Sequence, residues 1–149
     1  MIKHDEDLYK VRAKTVSGVT VEGIIDPCLD IWVDDEQHRF KSLKIDKKTI
    51  SRNTGKKIPD QSGNRVYLYE NDVCKIVWKD DLDDETNFEY VFIQYDTAIC
   101  GFVAINELGG QVDLDGFGDN DVEGLYESIV GNVFDNSELL STEQKKRLE

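Results

Sequence analysis

The residues from Asp113 to Gly124 carry acidic side chains at spacings that suggest a calcium-binding loop, because hard cations take several oxygen ligands on a sharply bent chain. Counted from Asp113, acids stand at loop positions 1, 3, 7 and 9, with Gly118 at position 6. Position 5 is Phe117, and position 12, which should be a bidentate Glu, is Gly124. The EF-hand pattern therefore fails. We predict no specific metal site, and weak cation binding stays open as an alternative.

Cysteine and histidine are the other residues that could bind a metal or act as nucleophiles. Cys28, Cys74 and Cys100 lie far apart and form no CxxC pair, so neither a zinc site nor a disulfide framework is predicted. Only two histidines occur, His4 and His38, and neither lies beside a cysteine in the sequence. We predict three buried thiols that act as small hydrophobic residues.

Catalytic motifs are missing from the sequence. It contains no phosphate-binding loop, no dinucleotide-binding turn and no hydrolase nucleophile elbow. Paired carboxylates need a desolvated cleft to act as acid and base, and nothing here predicts one. The acidic run Asp80–Glu85 is predicted to be an exposed hairpin loop. We therefore predict no catalytic residue, no cofactor and no enzymatic activity.

Charge is divided unevenly along the chain. The sequence has 18 Lys and Arg against 31 Asp and Glu, a net charge of −13, yet residues 80–144 hold 17 acids and no Lys or Arg. Residues 39–57 hold eight bases and a single acid, Asp46. Such a division affects electric fields and association rather than the fold.

Four interpretations of this division stay open. The two regions neutralise each other within one molecule, or the basic region of one copy binds the acidic region of another. The third is weak nucleic-acid binding through residues 39–57, with the candidates Lys44, Lys47, Lys48, Arg52, Lys56 and Lys57. The fourth is mimicry of a polyanion by residues 80–127, with the candidates Asp80, Asp81, Asp83 and Asp84. Tyr67 and Tyr69 share a strand face and are candidates for an exposed binding surface.

Composition indicates a folded protein. The chain has 149 residues, a mass of 17.0 kDa and 43 Leu, Ile, Val and Phe, and about two thirds of its surface can be buried on folding. No apolar run approaches the roughly 20 residues of a membrane span, and residues 1–7 lack the apolar core of a secretion signal. We expect a cytoplasmic protein with one domain over residues 1–147. Leu148 and Glu149 are typical of an expression-vector remnant.

The elements that position these residues are predicted to be mostly strands, because 26 Val and Ile outnumber 14 Ala and Leu. Short strands separated by turns favour a small barrel or sandwich. Residues 120–134 fit either a helix or a strand. Ser141 and Gln144 have capping-box spacing, which predicts a terminal helix. The predicted strands are 9–13, 19–25, 30–33, 38–45, 66–69, 73–78, 90–95, 100–105 and 111–114.

Three segments of the chain resemble one family in the same order. Residues 54–73 are similar to the signature "TGLKDKNGKEIYEGDIV", residues 129–140 to "VIGNIYENPELL", and residues 9–13 to "IKFRAW". The chain thus resembles the YopX family. The resemblance implies a phage or prophage protein of a Gram-positive host, with an SH3-like small barrel, flanking β extensions and a short C-terminal helix. It implies no assigned activity.

The matched motif has an architectural interpretation. Asn71 stands where the family usually has Gly and is suited to a positive φ, and Asp72 can then hydrogen-bond the local backbone before the next strand. The residues of this architectural motif are Gly55, Gly63, Glu70, Asn71, Asp72, Gly131 and Asn132.

The function predicted is that of a non-enzymatic phage accessory protein that acts as a binding or assembly module. Its partner is an unidentified host or phage protein, or a second copy of the chain. Nucleic acid and membranes are not the expected partners. The alternatives are the polyanion mimic, which would block a host nucleic-acid-binding protein, and the weak nucleic-acid binder.

Overall fold

The computed structural model describes residues 11–25, 30–33, 41–80, 82, 85–115, 117 and 125–148. Within these residues the chain forms ten strands, a 3-10 turn at Ser137–Leu139 and one helix, α1, at Thr142–Arg147. None of the helices in the described residues is long and apolar enough to cross a membrane. The strands are β1 (Val11–Thr15), β2 (Thr20–Ile25), β3 (Asp30–Val33), β4 (Lys41–Pro59), β5 (Arg65–Tyr69), β6 (Asp72–Lys79), β7 (Thr86–Asp96), β8 (Gly101–Ile105), β9 (Gln111–Asp113) and β10 (Leu125–Asn132).

The predicted fold class is confirmed: the protein is mainly β, with a sheet curled into a half-barrel and a short C-terminal helix. The ambiguous segment 120–134 forms a strand over Leu125–Asn132, because β6 offers it apolar cross-strand partners such as Cys74 opposite Ile129. The helical alternative is wrong for those residues, and residues 120–124 lie outside the described part. Strand β4 extends to Pro59, well past the end predicted at residue 45.

The chain divides into two compact units, residues 1–55 (unit 1) and residues 56–149 (unit 2). In unit 1, β1 pairs with both β2 and β4, and β3 pairs with β2 and β4, so the four strands form a closed ring of pairings. Ala13 and Ile45 are buried at the centre of this unit. The prediction of one domain over residues 1–147 stays a prediction.

Unit 2 contains an antiparallel sheet in the order β10-β6-β7-β8-β9. Because side chains alternate between the two faces of a strand, β6 and β7 supply apolar residues to both faces. Cys74 and Val91 contribute to a core that includes Ile58 and Leu68 of the β4–β5 hairpin. Val73, Phe92 and their neighbours pack on the opposite face against the C-terminal segment, residues 133–148.

Helix α1 confirms the predicted capping box. The Ser141 side chain accepts a hydrogen bond from Gln144 N at 3.2 Å, and Gln144 Oε1 accepts one from Ser141 N at 2.8 Å. Gln144 is also fully buried, and its Nε2 donates to the carbonyl oxygens of Tyr90 and Ile105 at 2.8 and 2.9 Å. One side chain therefore begins the helix and attaches it to β7 and β8.

Candidate binding surface

Aromatic side chains are exposed on the open end of the unit 2 sheet. Tyr126 of β10, Val77 of β6 and Phe88 of β7 are direct cross-strand neighbours and therefore share one face. Phe88 is 55% exposed and Tyr126 is 42% exposed. Such neighbouring exposure differs from the scattered apolar residues found on any protein surface.

A second row lies beside the first on the same face. Ser128, Lys75 and Tyr90 are cross-strand neighbours on β10, β6 and β7. The Tyr90 ring meets the Phe88 ring edge to face, with centroids 5.7 Å apart, and Lys75 Nζ lies 4.6 Å from the Phe88 ring centroid. These contacts hold the exposed Phe88 ring in place. We name Lys75, Val77, Phe88, Tyr90 and Tyr126 the sheet-face patch.

The C-terminal segment packs on the neighbouring part of this face. Val133 and Leu140 pack against Val73 and Phe92, which form the next row of the sheet. Strand β8 also ends there, because Phe92 opposite Ile105 is its last pair with β7 in the described residues. Tyr90 packs against this core, and Phe88 and Tyr126 are exposed beside it. Within the described residues, the sheet-face patch thus continues a packed core face.

The predicted basic residues are distributed over both units. Lys47 and Lys48 are exposed in a bulge of β4, where Lys48 N donates to Asp46 Oδ1, and Arg52 is exposed further along the strand. These three lie in unit 1, as does Lys44, whose side chain is outside the described part. Lys56 and Lys57 lie in unit 2, and as consecutive strand residues they face opposite sides of β4.

The two tyrosines predicted as a binding surface differ from each other. Tyr69 is only 3% exposed, so its prediction as a surface residue is wrong. Strand β5 ends at Tyr69, whose N–H donates to Asp72 Oδ2 at 2.8 Å, and the turn places its ring in the interior. Tyr67 is half-buried, with Lys57 Nζ 4.7 Å from its ring centroid. The alternate spacing of Phe88 and Tyr90 is the sequence signal for the sheet-face patch, whose residues were not among those predicted.

The acidic loop after β6 is a hairpin connection, as predicted. Asp80 N donates to Glu85 O at 2.9 Å, and Asp80 Oδ1 accepts a hydrogen bond from Leu82 N at 2.9 Å. Leu82 is 95% exposed at this loop. The candidates Asp81, Asp83 and Asp84 lie outside the described residues.

The region considered as a calcium loop is described only in part. Asp113 Oδ1 accepts a hydrogen bond from Asp115 N, and Phe117 is buried in the core of unit 2. Phe117 thus anchors the loop to the core, which explains an apolar residue at that position. Among the described residues, no group of three or more His, Cys, Asp and Glu is arranged to hold a metal.

The turns of the architectural motif have the conformations that its residues favour. Asn71 has a φ of 72°, as predicted, and Gly55 and Gly63 have φ of 83° and 85°. The half-buried Glu70 precedes this turn, and the buried Asp72 binds the Tyr69 backbone as predicted.

Gly131 and Asn132 belong to a second turn of the motif. Asn132 Oδ1 accepts hydrogen bonds from Phe134 N and Asp135 N, and Asn132 N donates to Asn136 Oδ1. A Cβ at Gly131 would overlap that amide oxygen of Asn136. The two motif residues therefore hold the chain where β10 leads into the C-terminal segment.

The cysteines do not behave alike. Cys74 is fully buried, and burial, followed by the charges of Asp72 and Glu127, raises the pKa of its thiol well above the ordinary value. Cys100 is exposed, so its prediction as a buried thiol is wrong. It lies in the β7–β8 turn with a φ of 53°, and its Sγ donates to Thr97 O. Cys28 lies outside the described residues.

We expect the two described thiols to differ at least about 100-fold in their rate of reaction with an aromatic disulfide reagent at pH 8. In a Cys28→Ser variant, Cys100 should react quickly, and Cys74 only when the protein opens, because the thiolate is the reactive form. Absorbance of the released thiol measures both rates. A variant that also carries Cys100→Ser should show no fast phase, and a fast phase there would contradict the burial of Cys74.

Comparisons of the chain with models of known protein families, with curated proteins and with solved structures found no match.

Proposed function

We propose that this chain is a non-enzymatic binding module that binds a partner protein through the sheet-face patch. The observation that carries the proposal is the exposed pair Phe88 and Tyr126 on a sheet whose adjoining surface is packed core. Aromatic residues are enriched in protein interfaces and contribute most of the binding energy at their centres. The resemblance to the YopX family supports a phage or prophage accessory role in a Gram-positive host.

The size of the patch indicates its role in an interface. Three strands spaced by about 4.8 Å and two rows of side chains cover about 200 Å². A stable interface buries roughly 800 Å² on each partner. The sheet-face patch is therefore proposed as the centre of the contact, with polar residues around it completing the interface.

The test is capture of a partner from lysates of phage-infected or prophage-induced Gram-positive cells on immobilised protein. We expect the unchanged protein to retain a specific partner, and the double variant Phe88→Ser with Tyr126→Ser to lose it, because Ser removes the apolar contact area. The matched control is Ile99→Ser with Leu108→Ser, which changes two exposed apolar residues outside the patch and should retain the partner. Equal retention by all three proteins would contradict the proposal.

The polyanion mimic is the second candidate, and the charge of unit 2 favours it. Unit 2 holds 8 Lys and Arg against 21 Asp and Glu, whereas unit 1 holds 10 of each. Under this alternative, changing Asp80, Asp81, Asp83 and Asp84 to Asn would abolish capture, and the change of Phe88 and Tyr126 would leave it intact. The binding module predicts the opposite result.

A further inference from the structure

Among the described residues, the outer edge of β7 is open beside the sheet-face patch. Strand β7 pairs with β6 from Thr86 to Phe92, but with β8 only from Phe92 to Asp96. In the part of the chain that the structure describes, no strand pairs with the β8 side of β7 between Thr86 and Val91. An open edge of this kind is a template for another strand.

The direction of the backbone groups follows from Gln144. Its Nε2 donates to Tyr90 O and Ile105 O, so the Tyr90 carbonyl points toward the β8 side. In an antiparallel strand the N–H and C=O of one residue point to the same side, and the direction repeats every second residue. The N–H and C=O of Phe88 and Thr86 therefore point out from the open edge.

The side chains along this edge differ between the two faces of the sheet. Phe88 lies on the patch face, and Asn87 and Glu89 lie on the opposite face. In an antiparallel strand added here, the residue opposite Phe88 would lie on the patch face, where an apolar side chain is complementary. The next residue, opposite Glu89, would face the Glu89 carboxylate, where a basic side chain is complementary. A partner with alternating apolar and basic residues is complementary to both faces.

Charge distinguishes this partner from a second copy of the chain. Unit 2 carries a net charge of −13, from 8 bases and 21 acids, so two copies joined along β7 would bring strongly negative units together. A basic segment is attracted by the same field. Because Gln144 occupies the Tyr90 carbonyl, the stretch open to an added strand runs from Thr86 to Glu89. Its roughly 13 Å is within the range of ordinary strand lengths.

We propose, on the basis of the binding function proposed above, that the β7 edge binds an extended cationic peptide segment of its partner as an added antiparallel strand. Main-chain hydrogen bonds to Thr86 and Phe88 supply affinity. Apolar side chains of the peptide contact the sheet-face patch, and basic ones face Glu89.

The probe is the peptide acetyl-Lys-Val-Lys-Val-Lys-Val-Lys-amide, and binding is measured by calorimetry on the full chain. We expect it to bind at least tenfold more tightly than the peptide with Glu in place of every Lys. Glu89→Lys should weaken binding at least fivefold, and Asp135→Lys, an exposed acid after β10, should change it less than twofold. Equal binding of the two peptides would overturn the choice of a cationic partner.

N-methylation of the peptide tests the added strand itself. A valine opposite Phe88 directs its N–H at β7, whereas the lysines direct theirs away. Methylation of two valine amides should therefore abolish binding, and methylation of two lysine amides should change it less than threefold. Equal effects of the two modifications, or no binding of the unmodified peptide, would overturn the proposal. The capture experiment with Phe88→Ser and Tyr126→Ser still decides the proposed function in that case.

Discussion

Replacement of Gln144 by Glu should lower the free energy of unfolding by about 3 to 4 kcal/mol at pH 7. The Gln144 amide nitrogen donates to two carbonyl oxygens, Tyr90 O and Ile105 O, at the point where β8 ends beside β7. Glu supplies no donor there, and its carboxylate would face both oxygens while fully buried. Denaturant unfolding followed by circular dichroism measures the loss.

The pH dependence of this variant provides a second readout. Burial beside two carbonyl oxygens raises the pKa of a carboxyl at position 144 in the folded state, so the protonated form is the one that folds. The variant should be closest in stability to the unchanged protein below the ordinary Glu pKa. It should lose stability as pH rises from that value to the raised pKa of the folded state.

Two control variants separate the effect of the buried charge from the loss of the hydrogen-bond donor and from a change elsewhere on the helix. Gln144→Met keeps the size of the side chain and removes only the hydrogen bonds, so we expect a loss of about 2 kcal/mol without the pH dependence. Lys146→Gln, on the exposed side of the same helix, should change stability by less than about 0.5 kcal/mol. A loss that small for Gln144→Glu would contradict the role given to this residue.

Gly131→Ala should lower the free energy of unfolding by about 2 to 3 kcal/mol, the second-largest change expected in stability. The added Cβ would overlap Asn136 Oδ1 and lie 2.5 Å from its Cγ. Asn136 cannot turn away without losing the hydrogen bond from Asn132 N at 3.1 Å, which holds the turn after β10.

A double-mutant cycle isolates this clash. In an Asn136→Ala background, Gly131→Ala should cost about 1 kcal/mol, because the amide is gone and only the neighbouring Cβ, 3.2 Å away, remains close. The coupling energy from the four unfolding curves should therefore be at least about 1 kcal/mol. Additive costs would show that the Asn136 amide does not constrain Gly131.

Much of the fold could be predicted from local chemistry. Segments rich in Val and Ile predicted strands, and the spacing of Ser141 and Gln144 predicted the start of the helix. Asn71 predicted a turn with positive φ. The extent of β4 could not be predicted, because its residues 47–53 carry the charges and polar groups typical of loops. Pairing with β1 and hydrogen bonds such as Lys14 N to Thr49 Oγ1 keep that segment in the sheet.

The binding surface could be predicted only in part. Alternation in β7 places Phe88 and Tyr90 on one face, but their exposure depends on where β8 ends and on what the C-terminal segment covers. Neither the end of β8 nor the position of the C-terminal segment can be predicted from the residues of β7. Tyr69 is the opposite case: the side-chain pattern of β5 predicted an exposed residue, but the strand ends in a turn that buries Tyr69.

The central claim, that the sheet-face patch binds a partner, is tested most directly by dissociation constants for the captured partner. Phe88→Ser with Tyr126→Ser should weaken binding at least 100-fold, about 2.7 kcal/mol, with an unchanged melting temperature. Ile99→Ser with Leu108→Ser should bind within twofold of the unchanged protein. Equal dissociation constants for the patch variant and the unchanged protein would contradict the claim.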